Sequence, residues 1–157
     1  MSVSMETPLI VPAGGGKALN VLASKVYCKA VGSETGGAFS FFHIVEAPHA
    51  GPPLHIHTRE DETFYVLSGK VSVQVKDQVT PAPPGTFASF PRGVPHAYKN
   101  IGDTEAELLV MVTPSGFEHF FEALHEGAKL GPLDPPKLIE IGGRFGLEFV
   151  GPPIAED

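Results

Sequence analysis

Turn-forming residues constrain this chain more than any other feature. Its 157 residues include 18 Gly and 16 Pro, in clusters that cut the apolar segments into short runs at intervals of roughly ten residues. Helices tolerate Gly and Pro poorly at that density, whereas a strand needs only about five residues between turns. The punctuation therefore predicts an all-β sandwich or barrel. Expected strands run over Ser24–Ala30, Ala38–Val45, Thr63–Leu67, Val71–Val75, Phe87–Phe90, His96–Lys99 and Glu107–Val112. Several alternate with period two: Phe39, Phe41, His43 and Val45 share one face, and Val71, Val73 and Val75 share another.

Helical signals follow the β region. Ser115-Gly116-Phe117-Glu118 reads as a capping box leading into Phe117, Phe120, Phe121 and Leu124 on one helical face, with Gly127 as the stop. A second, shorter helix is expected from Asp134 with Pro135 in its first turn, ended early by Gly142-Gly143. The length suits one core, so residues 1–157 read as one domain with an N-terminal arm over 1–20 and a helical extension over 115–157. The tail from Gly151 also reads as an arm.

Eleven basic against 18 acidic residues give a formal charge of -7, and no Lys/Arg stripe exists to neutralise successive phosphates, so nucleic acid is not expected as a partner. No apolar run approaches the roughly 18–20 residues that span a bilayer, and a basic region followed by an apolar one is missing near Met1. The expectation is a soluble, cytoplasmic protein without a membrane partner. Cys28 is the only cysteine, and its alternation with Val26 and Ala30 reads as a small buried strand residue rather than a nucleophile. Gly14-Gly15-Gly16-Lys17 fails as a phosphate loop, because the earlier Gly is missing and Ala18 stands where Ser or Thr would meet magnesium.

His55-Ile56-His57 places two imidazoles at strand period, hence on one face. The charged stretch from Thr58 to Asp61 reads as a turn that brings the next strand back antiparallel with Glu62 beside them, and Gly69 as the close of a hairpin into Val71. Pro91-Arg92-Gly93 reads as a turn feeding a strand that begins near His96. Three imidazoles and a carboxylate suit Fe, Mn, Co, Ni, Cu or Zn. With four protein ligands on an octahedral ion, two positions stay open, which separates a working metal from a structural one. His43, His49, His119 and His125 lack such companions; His43 is a candidate pocket residue, and the other three read as exposed.

Together these residues resemble the two motifs of the cupin superfamily. GPPLHIHTREDETFYVLSG carries the first, at His55, His57, Glu62 and Gly69, with its opening glycine displaced to Gly51, where it is expected to shape a turn. GTFASFPRGVPHAYKN carries the second, at Gly85, Pro91, Gly93, His96 and Asn100. The motifs cover Gly51 to Asn100, about a third of the chain. The resemblance implies a double-stranded β-helix, or jelly roll, holding one divalent transition metal on His55, His57, Glu62 and His96. It also implies a homodimer.

The wider run is similar to small single-domain cupins of the quercetin 2,3-dioxygenase type. That resemblance implies a small-molecule substrate with neighbouring hydroxyl and ketone groups, dioxygen as co-substrate, and Glu62 as both ligand and base. Phe41, His43, Phe64 and Tyr98 are the expected pocket residues, with Tyr98 sharing strand parity with His96. Because one fold hosts many chemistries, a metal-containing binding module without turnover and a metal-dependent isomerase or lyase remain open beside the dioxygenase.

Overall fold

The computed structural model describes residues 7–156. Among these residues, eleven strands form two antiparallel sheets: β1 (Lys17–Val21), β2 (Ser24–Ala30), β3 (Ser40–Glu46), β4 (His55–His57), β5 (Asp61–Ser68), β6 (Val71–Val75), β7 (Gln78–Ala82), β8 (Phe87–Phe90), β9 (His96–Asn100), β10 (Ala106–Thr113) and β11 (Leu147–Phe149). One sheet has the order β1-β2-β3-β10-β5-β8, the other β11-β4-β9-β6-β7. The two sheets form the jelly roll expected from the motifs. Alternation builds the core: Phe42, Ile44, Phe64, Val66, Leu108, Val110 and Val112 are buried, with intervening residues on the same strands less so.

The hairpins expected around the first motif do not form. β5 pairs with β10 and β8, whereas β4 and β6 belong to the other sheet. The chain therefore changes sheets between His57 and Asp61 and again at Gly69. The latter has φ 94°, and a side chain there would strike Ala106. Gly51 is likewise needed for close approach rather than for a turn, since a Cβ would collide with the Tyr98 carbonyl of β9. Asn100 clamps the same region: its buried side-chain amide donates to the carbonyls of Glu46, Ala47 and Thr104.

Among the described residues there are three helices: α1 (Gly32–Thr35), α2 (Glu118–Ala128) and α3 (Pro135–Arg144). The capping box expected at Ser115 is absent, because the Glu118 carboxylate instead accepts from the Gly32 N–H, the Ser40 hydroxyl and the Gly116 N–H. It thereby ties α2 to α1 and β3. Asp134 caps α3 by accepting from the Lys137 N–H, and α3 runs through Gly142-Gly143 rather than ending there. Gly142 is small for packing: a Cβ would press on the Phe149 ring and the Leu147 carbonyl.

The C-terminal extension is thus more than helical, since β11 follows α3 and pairs with β4. Of the arm expected over 1–20, residues 1–6 lie outside the described residues, and 17–20 belong to β1. Cys28 is buried, and burial pushes its thiol up to about 11. Among the described residues no helix is long and apolar enough to cross a membrane.

Candidate metal centre

His55 and His57 project from the same face of β4, with Ile56 on the other. On one side β4 is held by β11, through the pairs Leu147↔His57 and Phe149↔His55. On the other it meets β9, with His55 opposite His96. Glu62 comes from β5 in the facing sheet. The carboxylate thus reaches the three imidazoles across the sandwich, not along the adjacent strand that the spacing suggested. All four side chains are buried, and one donor atom from each lies within 4.8 Å of all the others.

The hydrogen bonds fix which atoms face inward. Nδ1 of His55 donates to the Pro53 carbonyl at 2.7 Å, Nδ1 of His96 to the Val94 carbonyl at 3.0 Å, and Nδ1 of His57 to Glu60 at 3.1 Å. These partners keep a proton on Nδ1 of each ring and turn the three Nε2 atoms towards one another, where they would be the ligating atoms once a cation replaced any Nε2 proton. His57 Nε2 has no hydrogen-bond partner despite its burial. A Glu62 oxygen lies 3.3 Å from it, within ion-pair reach but poorly aligned for a hydrogen bond. The other Glu62 oxygen is 2.9 Å from His96 Nε2.

A buried carboxylate facing three imidazole nitrogens needs positive charge beside it, from ring protonation or from a cation among the four groups. Burial drives His55 down to about 4, with His96 adding to the shift. Burial also opposes charge on His57, yet Glu62 and Glu60 outweigh it and raise that ring to about 9. Glu62 is held well below the ordinary carboxylate range, since His57 and His96 override its own desolvation. The cluster therefore demands positive charge. Two donors on opposite sides of an ion with bonds of about 2.1 Å are about 4.2 Å apart, so a set within 4.8 Å needs little contraction to hold one.

Aromatic rings pack around the cluster. Phe90 stacks on His96 at 4.1 Å, and Phe117 meets His57 edge-on at 4.7 Å. A cavity of about 280 Å³ opens beside the cluster, near the lower end of small-molecule pockets at roughly 300 Å³. His55, His57 and Glu62 line it, with Tyr98, Phe117, Phe120, Phe121 and Phe149 among its walls. His96 is not a wall residue.

Of the expected pocket residues, only Tyr98 lines this cavity. Phe64 is buried and supports it from behind, with ring contacts to Phe90 and Tyr98. Phe41 and His43 are on the outward face of β3. Phe41 borders a separate shallow hollow, and His43 stacks on Tyr27 and pairs with Glu107. Alternation along β3 defines two faces without saying which is inward, and Phe42, Ile44 and Glu46 hold that position. His49 and His119 are exposed as expected, whereas His125 is half-buried and accepts from the Asn20 N–H.

Sequence reasoning missed three contributors. Glu60 was read only as part of a turn, and Glu46 lies one residue beyond the expected strand. Phe149 sits in an unexpected strand. The shared face of Phe117, Phe120 and Phe121 was legible, but not that it closes the cavity.

Comparison with known proteins agrees with this architecture. Residues 42–126, more than half of the chain, match the cupin domain family. Protein SchB of Streptomyces halstedii is 33% identical over 82 residues, covering 51% of this chain and 59% of that protein. Quercetin 2,3-dioxygenase of Bacillus subtilis is 30% identical over 87 residues, covering 54% of this chain but only 25% of the enzyme. The chain thus spans less than two thirds of either relative. The structure of the polyketide cyclase RemF from Streptomyces resistomycificus superposes with a TM-score of 0.60 at 18% identity, over 69% of this chain and 81% of that one. That likeness concerns the fold alone.

Proposed function

The chain belongs to the cupin domain family, and from that premise we propose that it is a metal-dependent dioxygenase acting on a flavonol-like or other enolisable aromatic substrate. The observation that carries the reading is that the buried cluster opens onto a cavity walled by Phe117, Phe120, Phe121 and Phe149. His55, His57, Glu62 and His96 would hold one divalent transition ion. When bound, it supplies a Lewis-acid centre with open positions for oxygen donors.

The remaining work falls to the protein. The phenylalanine walls admit a planar apolar ring and exclude water, which strengthens the electrostatics of the site. Glu62 takes the proton of the substrate hydroxyl onto a carboxylate oxygen. A carboxyl held this low is ionised at neutral pH, and as a weak base it works on a hydroxyl acidified by a neighbouring cation. Glu60 holds the His57 ring in its tautomer from behind. The 30% identity to the Bacillus quercetin 2,3-dioxygenase supports this choice among cupin chemistries.

Oxygen consumption tests the reaction. Protein reconstituted anaerobically with each divalent metal in turn should consume dioxygen with at least one flavonol or enolisable diketone. Ligand binding without uptake would favour a non-catalytic binding cupin, and substrate conversion without uptake an isomerase or lyase. We also propose a homodimer, in keeping with the exposed apolar side chains of Tyr65, Leu67 and Phe87 on β5 and β8. Light scattering should give twice the chain mass of 16.6 kDa, and a monomer at micromolar concentration would refute it.

A further inference from the structure

The cavity has a second polar feature that the metal cluster does not explain. Glu46, the last residue of β3, is 2% exposed and lines the cavity with Ser24 and Tyr98. It continues the inward face of Phe42 and Ile44, where an apolar residue would serve the core better. Ser24 Oγ donates to one carboxylate oxygen at 2.6 Å, and the Tyr98 hydroxyl to the other at 2.8 Å. Burial raises the carboxyl above its ordinary value, and those two hydroxyls only partly offset it. A carboxylate offers about four lone-pair positions, so the two hydroxyls leave acceptor capacity free. A residue that breaks the local pattern in this way, on a cavity wall, marks function more often than packing.

Its position relative to the metal cluster follows from the strands. Tyr98 lies two residues beyond His96 on the same face of β9, a displacement of about 7 Å along the strand. Ser24 stands directly opposite Glu46 in the pairing of β2 with β3, and Asn100 anchors the Glu46 backbone. Ile44, Val110 and Phe121 contribute apolar wall to the same cavity. The cavity is therefore largely apolar, with the Glu46 carboxylate set apart from the metal cluster, and the other charged lining residues, His49 and Lys99, are both paired with Glu156.

We propose that Glu46, held by Ser24 and Tyr98, is a substrate-binding residue whose carboxylate accepts a hydrogen bond from a hydroxyl on the substrate end remote from the metal cluster. The site thereby selects aromatic molecules that carry a second hydroxyl away from the chelating end. This inference rests on the reading of the cavity as an aromatic substrate site, but not on the occurrence of oxygen chemistry.

Phenol and anisole, the same ring with and without a donor, provide the test, titrated by calorimetry into the full-length protein as purified, with oxygen excluded. The wild type should prefer phenol by about tenfold or more, as expected of a hydrogen bond to a charged acceptor. In Glu46→Gln the preference should fall several-fold. A wild type without preference, or an unchanged preference in Glu46→Gln, overturns the proposal.

If Glu46→Gln does not fold, as judged by its melting curve, a crystal of the wild type soaked in phenol decides. The phenol oxygen is expected about 2.5–3.0 Å from a Glu46 oxygen, and its placement only at the histidine cluster refutes the assignment. Neither measurement reads turnover. Failure of the dioxygenase reading leaves this result standing, and loss of the phenol preference leaves the dioxygenase reading untouched.

Discussion

His96→Ala should lose most of its capacity to hold a divalent transition metal, while the wild type carries about one ion per chain. Removing an outer partner of a metal-bound histidine typically costs roughly 10–100-fold in affinity. Deleting a ring whose Nε2 points into the cluster should cost more. The ring is also 1% exposed and stacked under Phe90, so its loss leaves a cavity and some destabilisation follows. The comparison is therefore made on folded protein, by elemental analysis and by competition with a chelator of known affinity. Equal metal in the two proteins would remove His96 from the ligand set.

Glu62→Gln should remain slow even when fully loaded with metal. If Glu62 only held the ion, the amide variant would lose activity in proportion to metal lost, because its oxygen still coordinates weakly. If Glu62 also accepts the substrate proton, turnover per bound metal should fall by roughly 10²–10⁴-fold, the usual cost of a missing general base. The role depends on a carboxylate kept ionised inside the protein, and His57 and His96 do that by holding Glu62 well below the ordinary range. The rate must be normalised to bound metal, measured on the same sample. Wild-type turnover per metal in Glu62→Gln would assign proton transfer to another group.

The legible part of this site was the part written in local spacing. His55 and His57 at strand period, Glu62 a short loop away and His96 after a Pro-Gly turn do converge, and all four are buried together. The route was not legible, because a turn of the same length can close a hairpin or carry the chain to the facing sheet, and only long-range pairing decides. The same limit hid β11, a three-residue strand after two helices, whereas β7 was hidden by its own composition, an exposed edge strand that contains Pro81. β11 is held by β4, some ninety residues earlier, and β7 by its neighbour β6.

Faces were harder to read than strands. In β3 both faces mix apolar and polar residues, so Phe41 and His43 were as plausible inward as Phe42 and Ile44. Glu46, the residue that gives the cavity its second polar group, lies one position beyond the strand expected to end at Val45. Glu118 shows the converse error: its place after Ser115 suggested a local cap, and tertiary partners at Gly32 and Ser40 claimed its carboxylate instead.

The central claim, that His55, His57, Glu62 and His96 hold a metal ion, is tested most directly by anomalous X-ray scattering from crystals of metal-reconstituted protein, recorded at the absorption edge of the added metal. The expected result is one strong peak per chain, about 2.0–2.3 Å from Nε2 of all three histidines and from a Glu62 oxygen. Absence of a peak at this cluster after reconstitution, or a peak bonded elsewhere, would contradict the account.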